Sequence, residues 1–196
     1  YITDRMDNQY YYSDEYYELV TEYQDKTSEE KAGVISEYLI QNPDDLVAKY
    51  EYALILRDIW KDEEAEQILI DVLRTEPSFL GAKLNLSASY LYRGDYEKAL
   101  RSCNEILKTN SENLYALVFL SRIHLAMGDV KKELEILEKA FIIDADNMYV
   151  LSELVPAKHY NGQFKARDLL YKILKEKSGI ESFEYIDSLI NESTGN

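Results

Sequence analysis

Between residues 114 and 141 the apolar positions fall three and four apart, which is the spacing of a helical face. Leu117, Leu120, Ser121 and His124 mark one face, and Leu134, Leu137 and Phe141 a second. Gly128-Asp129 lies between them and reads as a tight turn joining two antiparallel helices. Nearer the start, residues 10–23 and 28–41 read as a less regular helix pair. Thr27 and Glu30 have the form of a capping box, and Asn42-Pro43 closes the second helix of that pair. At the other end Phe183, Ile186, Leu189 and Ile190 share one side of a helix expected over 181–191, with residues 192–196 as a loose tail.

The pattern repeats. Gly94-Asp95 recurs as Gly128-Asp129 after 34 residues, and Gly162 follows after another 34. In this register Tyr52, Leu86, Leu120 and Leu154 share a slot, and Ala53, Ser87, Ser121 and Val155 share the next. Leu69, Cys103, Leu137 and Tyr171 align, as do Val72, Ile106, Ala140 and Leu174. A single helix pair cannot bury its apolar face alone, so such units must stack on their neighbours.

The period and these residues resemble the tetratricopeptide repeat family. The resemblance covers residues 46–181 as copies 46–79, 80–113, 114–147 and 148–181. It implies an all-α fold, a right-handed α-solenoid of antiparallel helix pairs with degenerate terminal repeats: the pair over 10–45 and the capping helix over 181–191. The copy at 80–113 matches best, through Leu86, Tyr90, Gly94, Asp95, Tyr96 and Ala99. Elsewhere the chain departs from the pattern. Trp60 stands in the turn-glycine slot, and Glu133 and Arg167 stand in the small-residue slot of Ala99. Pro156 falls inside a first helix, where its missing N–H and its ring should kink or shorten that helix.

Charge narrows the choice of partners. The 196 residues carry 22 Lys and Arg against 37 Asp and Glu, a formal net charge of −15, which argues against a nucleic-acid backbone as partner. Residues 1–79 hold 20 of the acids and 7 of the bases, so this half could steer a basic partner, although a solvated surface is the simpler explanation. No apolar run is long enough to cross a membrane. The lone Cys103 leaves reducing and oxidising compartments open, with the cytoplasm ahead. The chain begins at Tyr1 and not Met, so a removed signal or anchor, or an origin within a larger protein, stays open.

Catalytic chemistry finds no constellation here. His124 takes the slot of Tyr90 and reads as packing, and Cys103 sits in a core slot. Asp144, Asp146 and Asn147 lack the glycine and distal glutamate of a calcium loop and read as helix caps. The sequence therefore predicts no enzyme, no cofactor and no metal.

What the resemblance implies instead is protein binding, with the first helix of each pair lining a concave groove. The slots facing it include Tyr50, Leu54, Arg57, Asn85, Tyr92, Tyr115, Phe119, Arg122, Tyr149 and His159. Tyrosine and arginine commonly anchor interfaces. Some of these side chains are expected to pack between neighbouring first helices. Of the slots used by co-chaperone relatives to clamp a carboxylate, Asn85 alone matches, so that use is not expected. A binding groove predicts that Tyr50, Asn85, Tyr115, Phe119 and Arg122 are accessible together. The alternative is a self-assembling module or homo-oligomer, since ten of the 18 tyrosines fall within residues 1–52. The blander reading of that segment is a capping helix carrying Tyr16, Leu19, Val20 and Tyr23.

Overall fold

The structure is a computed structural model and describes residues 13–194, with side chains as far as residue 191. Eleven helices occupy the described residues, and no strand occurs among them. They are α1 (Asp14–Glu22), α2 (Ser28–Gln41), α3 (Leu46–Asp58), α4 (Asp62–Thr75), α5 (Leu80–Tyr92) and α6 (Tyr96–Thr109). Then come α7 (Leu114–Ala126), α8 (Val130–Ile143), α9 (Met148–Tyr160), α10 (Phe164–Ser178) and α11 (Glu184–Thr194). The architecture is an all-α, tetratricopeptide-like helix-pair solenoid. It divides into two compact units, the first ending at Ser89 and the second beginning at Tyr90, within α5. The tyrosines of residues 10–12 and the last two residues of the expected tail lie outside the described residues.

Helix ends follow the local chemistry. The Thr27–Glu30 capping box is formed on both sides. Asp45, Asn113 and Asn147 each accept N–H groups at the starts of α3, α7 and α9, while Asp95 and Asp129 do so for α6 and α8. These contacts satisfy donors that the first helical turn leaves without partners. The turns inside the pairs are closed by Gly94, Gly128 and Gly162 at φ 75°, 82° and 70°. Each donates its N–H back into the helix, as Gly94 does to Leu91 O at 3.0 Å.

In the first unit Tyr16, Tyr23, Ile35 and Ala48 form a buried cluster, with Leu19, Val20, Tyr38 and Tyr52 packed against it. In this way α1 covers the apolar side of α2 and α3. Tyr16 Oη donates to Glu51 Oε2 at 2.9 Å, which lets a phenol be buried completely. The α3–α4 pair closes over Ala53, Leu56, Ala65, Leu69 and Val72, all with no exposed surface. In the second unit α7 packs on α8, α8 on α9, and α9 on α10 and α11. Their shared core runs through Leu137, Ala140, Leu151, Leu154, Val155, Tyr171, Leu174 and Ile186. Each fully buried Leu or Val stabilises it by roughly 1.5–3 kcal/mol.

Three local features differ from the sequence pattern. Pro156 does not shorten α9, which has 13 residues like α3, α5 and α7. Packing against α7, α8, α10 and α11 holds the helix together across the missing hydrogen bond. The closing helix starts at Glu184, just after Phe183, whose N–H donates to Tyr171 Oη at 3.1 Å, and it runs on to Thr194 where a loose tail was expected. Trp60, in the glycine slot, takes up the glycine conformation itself at φ 63°.

Candidate functional site

In the first unit Tyr50, Arg57 and Asn85 come together. Asn85 Nδ2 donates to Tyr50 Oη at 2.9 Å and to Gly81 O at 2.9 Å, while Arg57 Nη1 donates to Asn85 Oδ1 at 2.7 Å. Every polar atom of the amide is thus used inside the protein, and Asn85 is only 8% exposed. The Tyr50 ring lies on Gly81, where an added Cβ would sit 2.8 Å from it, and stacks at a tilt on Phe79 with centroids 5.1 Å apart. Burial, helped by the charge of Glu51, pushes the Tyr50 phenol up to about 12. Leu54 and Arg57 are half-buried. Tyr50, Arg57 and Asn85 tie α3 to α5 and offer little free hydrogen-bonding capacity.

In the second unit the arrangement is more open. The rings of Tyr115 and Tyr149 lie 5.8 Å apart, and the Arg122 guanidinium sits over Tyr149 at 5.3 Å and over Phe119 at 5.7 Å. Arg122 pairs with Glu153 of α9. Burial works against the guanidinium charge, but the hydrogen bond and charge of Glu153 outweigh it and hold Arg122 above its ordinary value. Burial pushes the Tyr149 phenol up to about 12, and its Oη is buried with no hydrogen-bond partner among the described residues. Tyr92, at the end of α5, is 79% exposed.

The set expected to be accessible together is therefore divided. Phe119 is 4% exposed and Asn85 is spent on its neighbours, whereas Tyr50, Tyr115 and Arg122 are half-buried. The reason is geometric: neighbouring first helices touch, so a side chain in an inward slot meets the helix before it as readily as solvent. His159 is drawn into its own pair, with Nδ1 at 2.9 Å from Arg167 Nη1 and its ring edge-on to Tyr160 and Phe164.

Two acidic residues belong with this cluster although sequence reasoning did not place them there. Glu153 shares its register slot with Glu51, Asn85 and Phe119, and in three of the four the side chain bridges to an earlier helix: Glu51 to Tyr16, Asn85 to Tyr50 and Arg57, Glu153 to Arg122. That shared slot was a usable signal. Glu133, in the small-residue slot, is 3% exposed, and its Oε2 has no partner among the described residues. Burial, and secondarily the charge of Glu153, pushes its carboxyl up to about 7. Among the described residues no group of three or more His, Cys, Asp or Glu is placed to hold a metal ion, and no helix is long and apolar enough to cross a membrane.

Neither a protein-family model nor a curated protein matches the sequence. Solved structures do match the fold. A thermophilic tetratricopeptide repeat protein of Thermus thermophilus aligns with a TM-score of 0.71 at 19% identity, over 84% of this chain and 90% of that one. The MamA fragment from residue 41 to the end of Desulfovibrio magneticus RS-1 aligns at 0.66 and 16% identity, over 85% and 96%. A tetratricopeptide repeat protein of Parabacteroides merdae aligns at 0.65 and 16% identity, over 86% and 69%. At these identities the likeness defines the class of fold: a tetratricopeptide-like helical repeat.

Proposed function

We propose that this chain is a non-catalytic protein-interaction scaffold, built of four 34-residue copies over 46–181 between degenerate ends. It takes a peptide or protein segment on the first-helix face of its second unit. The observation that carries the reading is the Tyr115–Tyr149–Arg122–Glu153 cluster with the exposed Tyr92. Rigid aromatic rings around a charge-paired arginine suit a partner chain, because they bury large areas at little cost in side-chain entropy. Tyr50, Arg57 and Asn85 of the first unit act in this reading by holding α3 and α5 together, beside the half-buried Leu54. Phe119 acts as the floor beneath Arg122, and His159 orients the α9–α10 turn.

Affinity capture from native extract tests this, comparing wild type with a Tyr92→Ser, Tyr115→Ala variant that circular dichroism shows to be folded. A partner retained by wild type and lost by the variant is the expected result. A partner held equally by both removes the reading, and capture of this chain alone supports self-assembly in its place.

A further inference from the structure

Trp60 closes the turn between α3 and α4 in a manner seen at no other non-glycine position among the described residues. Its N–H donates to Arg57 O at 3.0 Å and the next N–H, of Lys61, donates to Leu56 O at 2.8 Å. This is the double closure of a Schellman turn, whose left-handed position ordinarily belongs to glycine. The three later turns of the same form carry Gly94, Gly128 and Gly162 there. A tryptophan in that conformation is strained, and its side chain recovers nothing by packing, because it is 89% exposed. Strain held in an exposed aromatic residue leads to the question of what the side chain meets outside the molecule.

The surroundings select the answer. Asp62, Glu63 and Glu64 form the first turn of α4 immediately after Trp60, and Asp58 precedes it, all four exposed. Lys61 is drawn to Glu64 at 3.6 Å and Arg57 to Asp62 at 4.0 Å, so the two cations nearby are turned toward acids. The indole face is thus an apolar plate set among negative charge. We propose that Trp60 is a docking anchor for an arginine- or lysine-rich segment of a partner protein, whose cationic side chain stacks on the indole while its neighbours meet the α4 carboxylates. Tryptophan offers the strongest aromatic face to a cation, and the interaction gains as water leaves it. This surface lies wholly within the first unit and does not rest on the binding face proposed for the second.

Trp60 is the only tryptophan in the sequence, so its emission reports the site directly. The probe is a short peptide of alternating arginine and serine, with a twin carrying glutamate in place of arginine. The expected result is a saturable change in Trp60 emission with the arginine peptide and none with the twin. By anisotropy of the labelled arginine peptide, Trp60→Gly binds about five- to thirtyfold more weakly than wild type, and Trp60→Phe falls between. Circular dichroism confirms that both variants are folded. Equal affinity of the labelled peptide for Trp60→Gly and wild type would show general attraction to an acidic chain and overturn the proposal. So would emission unmoved by the arginine peptide, or an equal response to its twin.

Discussion

Trp60 carries a cost that can be measured apart from any partner. A left-handed residue with a Cβ is disfavoured by roughly 1–2 kcal/mol, part of which glycine returns through its own chain entropy. Trp60→Gly is therefore expected to stabilise the protein by about 1 kcal/mol, read as a higher urea midpoint by circular dichroism. A lower midpoint would mean that the indole packs more than its exposure indicates. Glu133 offers a second test at this scale. Its carboxyl titrates near 7 in the fold against 4.5 for an ordinary glutamate, because burial opposes its charge. The folded chain then holds more protons than the unfolded one between those values. The associated stability is complete below about pH 4.5 and is lost as pH rises through 7. Glu133→Gln should remove that slope and leave the protein more stable than wild type at pH 8, by on the order of 1–3 kcal/mol. Parallel pH–stability curves for the two proteins would contradict this.

At the scale of the element, α9 is the helix most opposed by its own sequence. Pro156 leaves the carbonyl four residues earlier without its usual donor, a defect worth about 3 kcal/mol in an isolated helix interior. Packing on four other helices offsets it here. Pro156→Ala should raise thermal stability by about 1–3 kcal/mol, while a fall would show that the proline ring itself fills the interface. The same helix shows what the sequence could and could not express. The 34-residue spacing marked the buried faces, because the positions it aligns with Ala53, Leu69 and Val72 are buried too, even where they hold Ser87, Ser121 or Tyr171. Caps such as Asn147 and the Thr27–Glu30 box were equally legible, since their partners lie within three residues. Side chains on the first helices were harder. Whether Asn85 or Arg122 meets solvent or a neighbour depends on residues 28 and 31 positions away. Periodicity reports the face that a residue occupies but not the partner across it, so Glu153 was missed and Phe119 was overrated as surface.

The whole chain adds the effect of charge. With a net charge of −15, the folded state bears more self-repulsion than a neutral protein of its size. Raising sodium chloride from low to physiological strength should therefore raise the melting temperature, because exposed like charges more than about 8 Å apart are then largely screened. A flat or falling response would mean that the surface ion pairs, such as Lys98–Asp95 at 2.7 Å, outweigh the repulsion. The central claim concerns where a partner sits, and a photo-crosslinker tests it most directly. It would be placed in turn at Tyr92, exposed at the end of α5, and at Leu169, exposed on the second helix α10. Irradiation in native extract is predicted to give a discrete protein adduct from position 92 and none from position 169. An adduct from position 169 alone, or from neither position, would contradict binding on the first-helix face.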